Sequence, residues 1–401
     1  MSTVSDNSAN SKGGLEDIVA GVSSISSVDG YAGKLAYRGI EVHDLAASST
    51  FEETAYLLWH GRLPTKGGLA TLEERLSCCR DLPFGVVRMI MDFPQASEPM
   101  MVLRTVVSAL EMYDPGGSDH HHDINLSRAI LLTSRVPTII AYHHRARQKL
   151  ELVEPRHDLS LAANFLYMLT GKVPSERAAR VLDQCLILHA DHELNASTFA
   201  ARVAAATLSD LYSSVTAAVG TLSGPLHGRA NERVMEMLER IGEVSRAEGY
   251  VRAQLSQGGK VPGFGHRVYR TRDPRADELS QFSQMLGEAS GDLKWYEMTR
   301  TIEEFMLREK GIYANVDLYS ASVYHLLGIP TDLFTPLFAI SRVVGWTAHI
   351  LEQYSNNRLI RPRAEYVGLN DVPYTPIDER SEPVIPIRTP NCLTTANGVA
   401  R

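Results

Sequence analysis

Residues 261–275 read Val-Pro-Gly-Phe-Gly-His-Arg-Val-Tyr-Arg-Thr-Arg-Asp-Pro-Arg, which puts His266 on a short glycine turn followed by Arg267, Arg270, Arg272 and Arg275. Imidazole moves a proton near neutral pH, and glycine lets a backbone approach a ligand closely. The chain as a whole carries a formal charge of -7. A basic knot inside an acidic chain marks a local anion site. The bland alternative is a solvated basic face, partly paired by Asp273 and Asp277. Gly263-Phe-Gly265 lacks the G-x-G-x-x-G spacing of a dinucleotide fingerprint, and Val261 after Lys260 breaks the Walker A pattern. The stretch alone points to an anionic substrate and proton transfer.

Four further places carry chemistry. His189-Ala-Asp-His-Glu-Leu-Asn195 sets two histidines at i, i+3, able to face one another on a helix. The glutamate follows the second histidine, so this is not HExxH. Burying so many polar groups between apolar walls is costly unless they are paired or meet a ligand, which favours function over a core histidine. His227, in Gly224-Pro-Leu-His-Gly228, precedes an amphipathic helix whose positive end would keep imidazole neutral, able to donate to an enolate. Its plain alternative is a turn residue. Asp317 lies at a helix entry, where a lone aspartate would serve the helix dipole. Arg342 sits mid-helix among apolar residues, and a buried guanidinium needs a carboxylate or phosphate. Arg361 and Arg363 form a late basic pair. His120-His-His-Asp123 reads as a solvated loop, and His143-His144 as a helix surface, not as metal ligands.

The elements that must position these residues are helical. Helical periodicity marks Thr50–Trp59, Leu82–Phe93, Met101–Met112, Leu126–Leu150 with a break or kink at Pro137, and Leu159–Leu169. It continues through the long run Arg177–Ala206, Leu211–Val219, a helix carrying Val234, Met237, Leu238 and Ile241, two helices within Leu279–Leu307, Asn315–Leu327, and Leu333–Tyr354. Asp332 is a plausible cap of the last. Short apolar pieces from Gly14 to Ile40 suggest a small hairpin or an irregular lead-in. The fold class is all-α. At 401 residues the chain exceeds one usual domain, so two are expected. Its acidic balance argues against nucleic acid as main partner. Cys78, Cys79, Cys185 and Cys392 show no framework spacing, which fits a reducing, cytoplasmic setting. No membrane partner is expected: the best apolar run, Ala129–Tyr142, is cut by Arg135 and Pro137. Residues 1–13 read as a flexible lead-in without a signal core, and the tail from about 380 as extended or disordered.

In order, the chain carries His189-x-x-His-Glu, Gly224-Pro-Leu-His-Gly, Gly263-Phe-Gly-His-Arg-Val-Tyr, Asp273-Pro-Arg, Asn315-Val-Asp-Leu-Tyr, Gly345-Trp and Arg361-Pro-Arg. This series resembles the citrate synthase family from about Gly14 to Glu379, in its short dimeric type without a long N-terminal extension. The resemblance implies condensation of acetyl-CoA with oxaloacetate to citrate and CoA, with no cofactor or metal beyond the substrates. It implies Asp317 as the base, His227 as the enolate donor and His266 as the donor to the oxaloacetate carbonyl. His192, Arg275 and Arg342 would hold oxaloacetate, joined by Arg361 from the other subunit of a homodimer. Gly263, Phe264 and Gly265 would meet the adenine of CoA, with Arg270 near its phosphates. The implied architecture is a large helical domain, 1–228 and 329–401, and a small one, 229–328, closing over a cleft. The near rival is 2-methylcitrate synthase, which uses propionyl-CoA; one methylene is worth only about 1–3 kcal/mol. A non-catalytic CoA- or oxaloacetate-binding protein is the remote rival, countered by Asp317, His227 and His266 standing together.

Overall fold

In a computed structural model the described residues are 18–116 and 120–380. The expected lead-in 1–13, the Gly14-Leu-Glu match, the tail beyond 380 and Cys392 lie outside them. The all-α expectation holds: the described residues form sixteen α-helices and one three-stranded sheet. The expected hairpin is real. Strands β1 (Ser26–Asp29), β2 (Lys34–Tyr37) and β3 (Ile40–Glu41) are antiparallel, with Val28 opposite Leu35. The chain forms two compact units, residues 1–360 and 361–401. In the second, a single 3-10 turn, Ile377–Glu379, is regular among the described residues. No helix is long and apolar enough to cross a membrane among those described.

Six helices of the first unit carry site residues and are labelled in chain order: α1 (Glu176–His189), α2 (Ala196–Ala205), α3 (Ala230–Ile241), α4 (Pro274–Ser290), α5 (Val316–Leu326) and α6 (Phe334–Ser355). Local sequence explains their starts. Ser175, Asn195, Asp273 and Asn315 each cap a helix with a side-chain oxygen that accepts an amide proton. Pro274 then takes the first position of α4. Val234, Met237, Leu238 and Ile241 are buried on one face of α3, which ends at Gly242 with φ 73°.

Several expectations need correction. Arg177–Ala206 is not one helix: α1 stops at His189 and Asn195 caps α2, so the polar cluster is the connecting loop, with Glu193 at φ 49°. Pro137 does not interrupt the helix His122–Arg147, because it forfeits one hydrogen bond while Val136, Ile139 and Ile140 around it are packed in the core. His122 and Asp123 open that helix and do not lie in a loop. His143 is buried, its ring N–H meeting Ser97 O at 3.1 Å, so it is not a surface residue. Asp332 caps nothing; it lies in a 3-10 turn and binds Arg147 at 2.9 Å. Helices Lys66–Cys78 and Ala247–Ser256 are additional to those expected, masked in sequence by Gly67, Gly68 and Gly249.

The helix α6 is buried nearly all round, in keeping with its mostly apolar sequence. One stripe of it, Arg342, Gly345, Trp346 and His349, has the i, i+3, i+4, i+7 spacing of a single face. Arg342 Nε donates to His189 O at 2.7 Å, Trp346 Nε1 to Ser197 Oγ at 3.0 Å, and His349 Nε2 meets Asp191 Oδ2 at 3.2 Å. Gly345 permits this approach. A Cβ there would lie 2.3 Å from Ala190 O and 2.5 Å from Asp191 Oδ1. Gly345→Ala should therefore cost about 1–3 kcal/mol of stability in denaturant unfolding, as overpacking does. An unchanged stability would mean that the helix and loop are not in this contact.

Candidate active site

The loop 190–195 hangs from that helix face. Asp191 is fully buried; burial alone would raise its carboxyl, but His349, Arg342 and Ser26 hold it below the usual range. Its Oδ1 has no hydrogen-bond partner. His192, next along, is buried against Tyr269, with Nε2 and the phenol oxygen 3.2 Å apart. Burial first, then Arg275, pushes His192 well below the normal imidazole range. His266 packs beside it, ring centroids 5.2 Å apart. The N–H groups of Val268 and Tyr269 both donate to His266 Nδ1, at 3.0 and 3.1 Å. The neutral ring must then carry its proton on Nε2, as a donor. Burial and Arg275 lower its pKa to about 4.

His227 is fixed by the opposite nitrogen. Ser197 N–H donates to its Nε2 at 3.3 Å, and Ser197 Oγ lies 2.9 Å from the same atom. The proton therefore sits on Nδ1. The helix start that faces His227 is that of α2, where Ser197 lies in the first turn, and not that of α3, which follows His227 in sequence. Burial and Arg342 lower His227 to about 4. Both histidines are thus neutral donors of known hand near pH 7.

The cations differ in how they are compensated. Arg275, in the first turn of α4, is buried and bidentate to buried Asp273, at 2.9 and 2.7 Å. Asp273 Oδ2 also accepts Val316 N–H at 3.2 Å, tying α4 to α5. Arg342 is buried over the ring of Phe338, 4.6 Å from its centroid, and no carboxylate lies within ion-pairing distance among the described residues. Burial pulls it down to about 10. It stays charged at neutral pH, a guanidinium awaiting an anion. Asp317 stands in the first turn of α5 with its amide capped by Asn315 at 3.0 Å. Burial raises its carboxyl to about 7, against the pull of Arg275 and Arg342. A carboxyl poised near neutral is suited to general-base work.

The glycine turn is held by the strand of chain that leads into α5. Gly265 N–H donates to Tyr313 O at 3.2 Å, Asn315 N–H to Gly263 O at 3.0 Å, and Asn315 Nδ2 to Gly265 O at 2.9 Å. Gly263 and Gly265 have φ of 84° and 77°, open to glycine at little cost. A cavity of about 560 Å³ joins His227 to Gly263 and Phe264, and Arg233, Arg240 and Lys260 also line it. Arg270 is exposed beside this turn and does not line the cavity. Arg361 is exposed at the start of the second unit. Arg272 pairs with Asp277 at 2.7 Å and Glu303 at 3.2 Å, so the expected pairing of the basic stretch by Asp273 and Asp277 is observed.

His192, His266, Arg275, Arg342, His227 and Asp317 thus form one electrostatically connected group. Sequence reasoning missed Tyr269, Ser197, His349 and the cavity's Arg233, Arg240 and Lys260. Arg233 and Arg240, seven residues apart on the polar side of an amphipathic helix, gave a signal that could have been used. Ser197 and His349 gave none, because their roles come from tertiary contacts. Among the described residues no group of three metal-ligating side chains assembles.

The family model described as citrate synthase, C-terminal domain, matches residues 14–363. The chain is 50% identical over 374 residues to a citrate synthase of Haloferax volcanii, spanning 92% of this chain and 99% of that one. It is 41% identical over 368 residues to a 2-methylcitrate synthase of Shewanella oneidensis, spanning 92% and 97%. Its fold is similar to that of a solved citrate synthase of the archaeon Thermoplasma acidophilum in ternary complex with carboxymethyl coenzyme A and oxaloacetate, with TM-score 0.86, 34% identity, and coverage of 91% of this chain and 98% of that one.

The electrostatics predict a coupling. Arg342 is one of two cations restraining Asp317, so Arg342→Leu should move the Asp317 titration above about 7. Carboxyl carbon shifts followed by NMR, with Asp317→Asn for assignment, measure it; a titration at or below the parent value contradicts the arrangement.

Proposed function

The chain belongs to the citrate synthase family, and we propose that it condenses acetyl-CoA with oxaloacetate and, with water, releases citrate and free CoA. The observation that carries this reading is a carboxyl raised to about 7, Asp317, in one electrostatically connected, half-buried group with two neutral histidines whose donor nitrogens are fixed. A thioester methyl is a very weak carbon acid, so a base alone is insufficient without stabilisation of the enolate oxygen. Asp317 would take the methyl proton while His227 Nδ1–H donates to the enolate oxygen. The new C–C bond forms at the oxaloacetate carbonyl, whose oxygen receives the His266 Nε2 proton. Water then cleaves the thioester and CoA leaves as the thiol.

Arg342, Arg275 and His192 would bind the oxaloacetate carboxylates. The Gly263–Gly265 turn and the adjoining cavity would take CoA, with Phe264 against its adenine and Arg270 toward its phosphates; no further cofactor or metal is invoked. We place the lobe boundaries at 228/229 and 328/329, with closure excluding water from the thioester intermediate. The active form would be a homodimer in the cytoplasm, each site receiving Arg361 from the other subunit. Phe84, Met91, Met101 and Met112 are individually exposed apolar side chains available to such pairing. The Shewanella relative supports 2-methylcitrate synthase as the second reading.

Asp317→Asn should reduce turnover by roughly 10²–10⁴-fold while oxaloacetate still binds; near-normal turnover removes Asp317 as base. Because the base must be ionised, kcat/KM of the parent should fall as pH drops through about 7, with both histidines, at about 4, silent there. A pH-independent rate across that range would contradict the assignment. Thiol release with acetyl-CoA and propionyl-CoA, each with oxaloacetate, separates the two readings: higher kcat/KM with acetyl-CoA is expected, and higher with propionyl-CoA selects the second.

A further inference from the structure

The β1–β2 hairpin holds none of the residues placed in the chemistry, yet it bonds to both histidine-bearing segments. On one side, Ser26 Oγ donates to Asp191 Oδ2 and accepts Glu193 N–H at 2.9 Å, and Val28 N–H donates to Glu193 Oε1 at 3.2 Å. Tyr37 OH lies 3.1 Å from Ile187 O and 3.0 Å from Asp191 O, and accepts Asp191 N–H at 3.2 Å. These bonds hold Glu193 at its φ of 49°. On the other side, Arg270 N–H donates to Gly30 O at 2.8 Å. A Cβ on Gly30 would lie 2.2 Å from Val268 O, and one on Gly33 2.8 Å from Thr271 Cγ2. Val268 is one of the two residues whose amides fix His266. The turn is preformed, since Asp29 Oδ1 accepts the amides of Tyr31 and Ala32 at 3.0 and 2.8 Å.

We propose that this hairpin is a positioning strap that sets the His266 loop against the His192 loop, with Gly30 the point at which it bears on His266. The inference rests on the roles given above to His192 and His266. Loops are the mobile parts of a fold, and both histidines lie on loops. A strap bonded to each fixes their separation without entering the site. Displacement of a reacting group by about 1 Å can cost about 10²-fold in rate, so the strap is felt in turnover.

The test uses the full chain, with turnover, KM for oxaloacetate, thermal unfolding and amide hydrogen exchange across 266–272. Folded Gly30→Ala should lose about 10–10²-fold in kcat and exchange faster at Val268, Tyr269 and Arg270. Tyr31→Ala, at the hairpin tip and 87% exposed, should match the parent in both. Glu193→Ala should reproduce the loss and Glu193→Gln, which keeps the Oε1 acceptor, should restore it. Parent-like turnover and exchange in Gly30→Ala overturn the proposal. If that variant does not fold, equal turnover in the two Glu193 variants overturns it. A parent that condenses neither acyl-CoA refutes the functional reading instead, and the exchange measurement then still decides the strap.

Discussion

A buried guanidinium with no carboxylate at ion-pairing distance among the described residues is the constraint from which the site follows. Arg342 is on a helix buried nearly all round and is anchored through Nε to His189 O. Leaving such a charge uncompensated is costly, and stacking on Phe338 offsets only part of that. The cost is tolerable where the charge has a ligand to meet. The residues around it keep that position: Gly345 admits the loop, His349 holds the loop's Asp191, and Trp346 holds Ser197 in the first turn of α2.

The same charge explains the histidines. Arg342 and Arg275 are permanent cations, and burial beside them disfavours a further positive charge on imidazole. His227, His192 and His266 are therefore donors of hydrogen bonds, not of net charge, and backbone amides select the nitrogen that donates in His227 and His266. Asp317 is treated oppositely: burial raises it and the arginines restrain it, leaving it near 7. Burial, modulated by one pair of arginines, thus sets both the neutral donors and the poised base.

Much of this was legible in sequence, for physical reasons that can be named. Arg342 stood out because charge within an apolar helix demands a partner, and His266 because glycines and arginines surround it. Asp317, at a helix entry where a lone aspartate serves the dipole, stood out only through the family resemblance. Capping residues and helical period gave most helices. The break at 190–195 was hidden because His189 and His192 fit helical spacing, and Asn195 reads as a cap only once the loop is seen. The helix facing His227 could not be read locally, since Ser197 lies thirty residues away. Ser26, Gly30 and Tyr37 look like ordinary hairpin residues until the structure sets them on the two histidine loops.

The central claim is that arginines supply the site's positive charge and that it receives a dicarboxylate with its histidines neutral. Calorimetric titration of oxaloacetate into the Asp317→Asn variant, in buffers of different ionisation enthalpy near pH 7, measures this directly. The account predicts binding with no net proton uptake. Uptake approaching a full proton per site would show that a histidine charges on binding, and would contradict it.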